Sequence, residues 1–98
     1  MYVIRDIFRC KPGKAKDLVE KFKKTFTVME EVDGFINPRV MVDAVADYWT
    51  VVLEADCPTL EHFERHMREY GTRPEVKEAM AGYMDLVIEG RREIFRIV

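Results

Sequence analysis

Ninety-eight residues, 48% apolar and 35% charged with both signs mixed, suit one domain over residues 1–98 with a single core, and they exclude a disordered chain. The formal net charge of −2 argues against nucleic acid as a partner, because phosphate binding calls for a clear basic excess. No apolar run approaches the roughly 20 residues of a membrane span, so no membrane partner is expected either.

The chain starts Met1-Tyr2-Val3-Ile4-Arg5-Asp6, without the apolar segment of a signal peptide, and the expected compartment is the cytoplasm. Residues 2–9 alternate as a strand, with Tyr2, Ile4, Asp6 and Phe8 on one face. Lys11-Pro12-Gly13-Lys14 breaks that strand and opens a helix predicted from about Lys14 to Val32. In this helix Ala15, Leu18, Val19, Phe22, Phe26 and Met29 share a stripe of roughly 100°. Lys16, Glu20, Lys23 and Lys24 lie opposite as a solvated face.

Asp33-Gly34 ends the helix, with glycine suited to a left-handed C-terminal position. Phe35 to Asp43 form the second strand, and Pro38, which donates no ladder hydrogen bond, places it at a sheet edge or at a bulge. Tyr48-Trp49-Thr50-Val51-Val52-Leu53-Glu54-Ala55 is the chain's best strand signal. Counted in period two, Trp49, Val51, Leu53 and Ala55 form a wholly apolar face, and Tyr48, Thr50, Val52 and Glu54 a mixed one. A second helix starts at the candidate cap Thr59, with Leu60, Phe63, Met67 and Tyr70 as its buried stripe. Gly71-Thr72-Arg73-Pro74 interrupts it, and a further helical segment runs from Glu75 to about Met84, burying Val76, Ala79, Met80 and Tyr83. Leu86 to Val98 reads as a long strand with a bulge or bend at Gly90.

The order β-α-β-β-α-(α)-β with right-handed crossovers gives an α+β, ferredoxin-like fold: a four-stranded antiparallel sheet, order 4-1-3-2, with helices on one face. Cys10 and Cys57 then sit at opposite ends of the sheet, too far apart to bridge, and their spacing offers no metal site. The face without helices carries Tyr48, Thr50 and Val52 with either Val40 and Val42 or Met41. Such a patch predicts a homodimer packed sheet on sheet.

Ile4-Arg5 followed by Lys11-Pro12-Gly13-Lys14, Thr59-Leu60-Glu61 leading to His66, and Gly90-Arg91-Arg92-Glu93-Ile94-Phe95 resemble segments of the dimeric α/β-barrel superfamily. That superfamily includes antibiotic-biosynthesis-monooxygenase-like and NIPSNAP-like domains, and the resemblance spans essentially the whole chain. It implies a dimeric α/β barrel and, for monooxygenase-like members, a second-helix histidine at the position of His66. Haem-degrading members use an asparagine in strand 1, a tryptophan in the second helix and a following histidine. Here Asp6 or Ile7, Phe63 and a residue near Met80 stand in those places, so the resemblance does not extend to haem, and no cofactor is expected.

His62 and His66 are one helical turn apart, but HFERH is not the HExxH motif, and nothing nearby completes a ligand set. No metal is expected. His66 falls about 80° from the centre of the buried stripe and His62 about 120°. At the edge of the buried side and at the position that resembles the relatives' second-helix histidine, His66 is the candidate catalytic residue, able to take or give a proton near its ordinary pKa; a partly buried histidine with one satisfying hydrogen bond explains the same residue and is the commoner case. Trp49, Tyr70 and Tyr83 are candidate ligand-binding walls, or simple core. Asp6 breaks an apolar face and requires a partner, for which Arg39 and Arg92 are available, as an ion pair or as a general base. Two functions fit: a cofactor-independent, monooxygenase-like enzyme acting on a small apolar or aromatic molecule, and a non-catalytic small-ligand-binding or stress-associated dimer.

Overall fold

A computed structural model describes residues 1–98. Its elements are β1 (Tyr2–Cys10), α1 (Ala15–Lys23), α2 (Phe26–Glu31), β2 (Ile36–Val42), β3 (Thr50–Cys57), α3 (Leu60–Glu69), α4 (Pro74–Met80) and β4 (Val87–Arg96), with short 3-10 turns at Tyr70–Thr72 and Tyr83–Asp85. The sheet order is β2-β3-β1-β4 and every pairing is antiparallel, so the chain has the expected α+β, ferredoxin-like fold. No helix is long and apolar enough to cross a membrane.

The expected first helix is two helices. Thr25, fully buried at their junction, donates its hydroxyl to the Phe22 carbonyl at 2.8 Å, and its backbone N–H takes the same carbonyl at 2.9 Å. A threonine that bonds back along its own helix competes with the regular ladder and bends the chain there. The apolar stripe survives the bend: Leu18, Phe22 and Met29 are all buried against the sheet.

Gly34 closes α2 in the left-handed region at φ 72°, which lets the Phe35 N–H reach the Met29 carbonyl at 2.9 Å. A Cβ at this position would also stand 3.4 Å from the His62 ring. Gly34→Ala is therefore expected to destabilise the fold by about 1–2 kcal/mol, measured by urea denaturation. Gly71→Ala, with open space around its Cβ, is the control.

Along β2 the register shifts between Ile36 and Arg39, with Asn37 at φ 52°. The edge position and the bulge expected from Pro38 are both present. Gly90 behaves otherwise than expected. It pairs regularly with Phe8, and the irregularity of β4 falls opposite Arg9 and Cys10. Glycine suits position 90 because a Cβ there would lie 3.0 Å from the Phe8 ring.

In the sheet, Ile4, Asp6 and Phe8 of β1 pair with Ala55, Leu53 and Val51 of β3, and these residues face the helices. The core consists of this layer with Leu18, Phe22, Met29 and Phe35. The other face is more charged than the sequence suggested. Glu54, buried there, receives Arg5 Nε at 2.8 Å and Arg39 Nε at 2.6 Å. Arg39 also reaches Asp56 at 3.4 Å. Burial pushes the Glu54 pKa up, and the two guanidiniums more than offset it, so the net shift is downward. Met41, opposite Val52, and Phe95 on β4 remain exposed. Cys10 and Cys57 are free and buried, and the Tyr2–Cys57 pairing puts them at opposite ends of β1.

Candidate functional site

The helices do not pack flush on the sheet, and space is left between the two layers. A cavity of about 470 Å³ occupies it, and thirteen of its nineteen lining residues are hydrophobic. That size and character suit a small organic molecule. The floor includes Ile4, Asp6, Leu53, Ala55 and Arg92 from the sheet. The roof comes from α3 and α4 with their connecting turns, including Phe63, His66, Tyr70, Val76, Met80 and Tyr83.

His66, Tyr70, Tyr83 and Asp6 thus share one site. Trp49 does not, which corrects the expectation of a cleft wall. Period-two counting assumed that the strand began at Tyr48, but β3 begins at Thr50. Tyr48 and Trp49 take left-handed backbone at φ 63° and 57°, and this reverses the alternation. The Trp49 side chain is 45% exposed and lies with Asp43–Ala46 and Tyr48 in a shallow depression away from the cavity. The parity holds for Val51, Leu53 and Ala55, which are buried.

Helix α3 is also rotated relative to the stripe expected from its sequence. Leu60 is exposed and Met67 only half covered at the cavity's edge, and the inward positions are Phe63, His66 and, just past the helix end, Tyr70. Only 12% of the His66 side chain is exposed. Its ring packs between Phe35 and Tyr70, at centroid distances of 4.6 and 4.3 Å. A polar ring tolerates that burial because its Nδ1 meets Asp33 Oδ2 at 2.9 Å. Burial depresses the His66 pKa below the ordinary value, and Asp33 opposes the shift only in part. The imidazole is therefore neutral at neutral pH, a state able to accept a proton. His62 turns away instead, its Nδ1 lying 2.8 Å from the Thr59 hydroxyl that also caps the helix.

Asp33 and Arg73 did not stand out in the sequence. Asp33 is fully buried; its Oδ1 meets Arg73 Nη1 at 2.7 Å, and 14% of the Arg73 side chain is exposed. Forty residues separate the two and thirty-three separate Asp33 from His66, so no local spacing joins them. An aspartate before a helix-ending glycine and an arginine before Pro74 look like ordinary turn residues.

Asp6 finds its partner in Arg92, the residue opposite it on β4. The guanidinium donates from Nε to Oδ1 at 2.6 Å and from Nη2 to Oδ2 at 3.3 Å. Arg92 also lies over the Phe63 ring, 5.3 Å from its centroid. Arg39, the other candidate partner, is committed to Glu54. The Tyr70 hydroxyl is buried without a hydrogen-bond partner. Burial raises its pKa, opposed by the nearby Thr25 hydroxyl, so it stays protonated and can donate to a ligand.

No family model and no curated protein matches this chain. Solved structures do match its fold. An uncharacterized NIPSNAP-like domain protein from Burkholderia xenovorans superposes with a TM-score of 0.81 at 15% identity, over 99% of this chain and 84% of that one. A NIPSNAP family protein from Agrobacterium tumefaciens gives 0.82 at 12% identity, over 99% and 92%. A candidate antibiotic biosynthesis monooxygenase from Deinococcus radiodurans gives 0.75 at 14% identity, over 100% and 93%. The chain shares the fold of these proteins.

Proposed function

We propose that this protein is a homodimeric, cofactor-independent, monooxygenase-like enzyme that holds a small aromatic molecule between sheet and helices. The observation that carries this reading is a largely apolar cavity of about 470 Å³ with His66, largely buried, in its wall. Likeness in fold to a candidate antibiotic biosynthesis monooxygenase is in keeping with it, although a fold alone does not fix a reaction.

In the proposed chemistry His66 accepts a proton from an activated carbon of the ligand. The resulting anion reduces dioxygen, the co-substrate. One oxygen atom replaces two hydrogens on carbon as a carbonyl, and the other leaves as water. Tyr70 donates to an oxygen of the ligand, Tyr83 packs against it, and the Asp6–Arg92 pair orients its polar edge. The homodimer forms through the sheet face that carries Met41 and Phe95, where Glu54 lies between Arg5 and Arg39, and Glu93 and Asp56 supply a second carboxylate to each arginine, so that no charge there lacks a partner when association buries it.

A non-catalytic ligand-binding dimer is the second reading, favoured by the position of Trp49 outside the cavity. The test is calorimetric titration of the full chain with dihydroxynaphthalene, together with an oxygen electrode. Binding with oxygen uptake is expected, and binding without uptake selects the second reading. Ala55→Met, which puts a longer side chain into the cavity floor, is expected to weaken binding at least about tenfold, or about 1.4 kcal/mol. Undiminished binding moves the ligand elsewhere. A sedimentation profile that is monomeric at micromolar concentration eliminates the dimer.

A further inference from the structure

We infer that Arg73 is a positioning residue for His66: by holding Asp33 as an acceptor-only carboxylate, it fixes the proton of His66 on Nδ1 and leaves the lone pair on Nε2. The functional weight of this role rests on the proposed acid–base reading. The proton placement itself does not.

The two oxygens of Asp33 face different partners, Arg73 as an ion pair without hydrogen-bond alignment and His66 through a hydrogen bond. Oδ1 faces Arg73 Nη1 at 2.7 Å and Oδ2 faces His66 Nδ1 at 2.9 Å. A guanidinium can only donate, and it does not give up its proton in a protein. Asp33, fully buried, is thereby kept charged by a cation in direct contact, which a lone carboxylate in that position would lack. An ionised carboxylate has nothing to donate, so the hydrogen bond to His66 must run from Nδ1–H to Oδ2. If Asp33 carried the proton instead, it would donate to Nδ1 and put the imidazole hydrogen on Nε2. The tautomer of His66 is therefore decided by a residue that does not touch it.

The other charged and titratable groups around His66 do not undo this arrangement. Asp6 on β1 and Arg92 on β4 neutralise each other through two hydrogen bonds. In the turn after α3, Tyr70 is held protonated by burial, and on α3 Arg65 is directed at the Asp33 backbone carbonyl, 3.4 Å away. Glu69 approaches Arg73 at 3.3 Å but is half exposed, where water and salt weaken its hold. Arg73 is thus the cation that balances Asp33. Without it, carboxylate and imidazole would share one proton, and His66 would stay charged to higher pH.

Long-range 1H–15N correlations of the histidine rings in the 15N-labelled full chain test this directly, with His62 as the internal control. Wild type is expected to show the Nδ1–H tautomer of His66 at neutral pH. In Arg73→Gln the His66 midpoint is expected to rise by at least about one pH unit, a tenfold gain in proton affinity. Arg73→Lys, which keeps the charge and loses the fork, is expected to restore the wild-type midpoint. A merely structural role for Arg73 would lower the melting temperature in both variants and move neither tautomer nor midpoint, and that result overturns the inference. If Arg73→Gln does not fold, the Nε2–H tautomer in wild type or an upward shift in Arg73→Lys overturns it. None of these readouts needs a ligand or turnover, so failure of the proposed function leaves them interpretable.

Discussion

Asp33→Ala is expected to lower the unfolding free energy by about 3–5 kcal/mol, because removing one partner of a buried pair strands the charge of the other. Asp33, fully buried, meets two side chains from different elements. It joins the end of α2 to α3 through His66 and to the turn before α4 through Arg73. With alanine in its place, the largely buried Arg73 guanidinium keeps only the exposed Glu69 carboxylate, and His66 loses its hydrogen bond. For a domain of this size, each kcal/mol corresponds to roughly 4–8 °C in melting temperature. Urea denaturation monitored by circular dichroism is the measurement. Glu31→Ala, an exposed acidic residue of the same helix end, is the control and is expected within about 0.5 kcal/mol of wild type. A loss below 1 kcal/mol for Asp33→Ala would mean that the pair is not formed in solution.

His66→Gln is expected to reduce oxygen-consuming turnover by about 10²–10⁴-fold, the usual contribution of one general base. Glutamine can still donate to Asp33 and so keeps the buried carboxylate partnered, which limits the stability loss to about 1 kcal/mol. Undiminished turnover would remove His66 from the chemistry. The pH dependence has a definite sign. The competent form is the neutral imidazole, present above its pKa, and burial places that pKa below the ordinary 6.5. The acid limb of the wild-type activity is therefore expected below pH 6.5, and His66→Gln should abolish it. Stability follows the same group. Below the ordinary histidine value the unfolded chain takes up a proton that the folded chain still resists, so stability declines as pH falls through that window.

The sheet and its order were legible because they follow from local patterns. Alternation in β1 and β3, the helical stripe through Leu18, Phe22 and Met29, and the turn residues at Gly13 and Gly34 each act within a few residues. The crossover rule then leaves one arrangement of the strands. Boundaries were less accessible where a single side chain changes the backbone. Thr25 splits one apolar stripe into two helices by bonding to Phe22, and the left-handed pair Tyr48–Trp49 looks like the start of a strand because both are good β residues. Trp49 was misplaced for that reason alone. His66, Tyr70, Tyr83 and Asp6 were singled out by their type and approximate face, and all four line the cavity.

What the sequence determined by itself is the four strands, their order in the sheet and the face that the helices cover, since periodicity and turn chemistry act over short range. Only the tertiary structure decided the rest. It buried His66 against Phe35 and Tyr70 while leaving Leu60 exposed, chose Arg92 over Arg39 for Asp6, and brought Asp33 and Arg73 together beside His66. These outcomes depend on charges that meet across tens of residues. A buried charge is stable only where its partner is also buried, and no local pattern records which partner that will be.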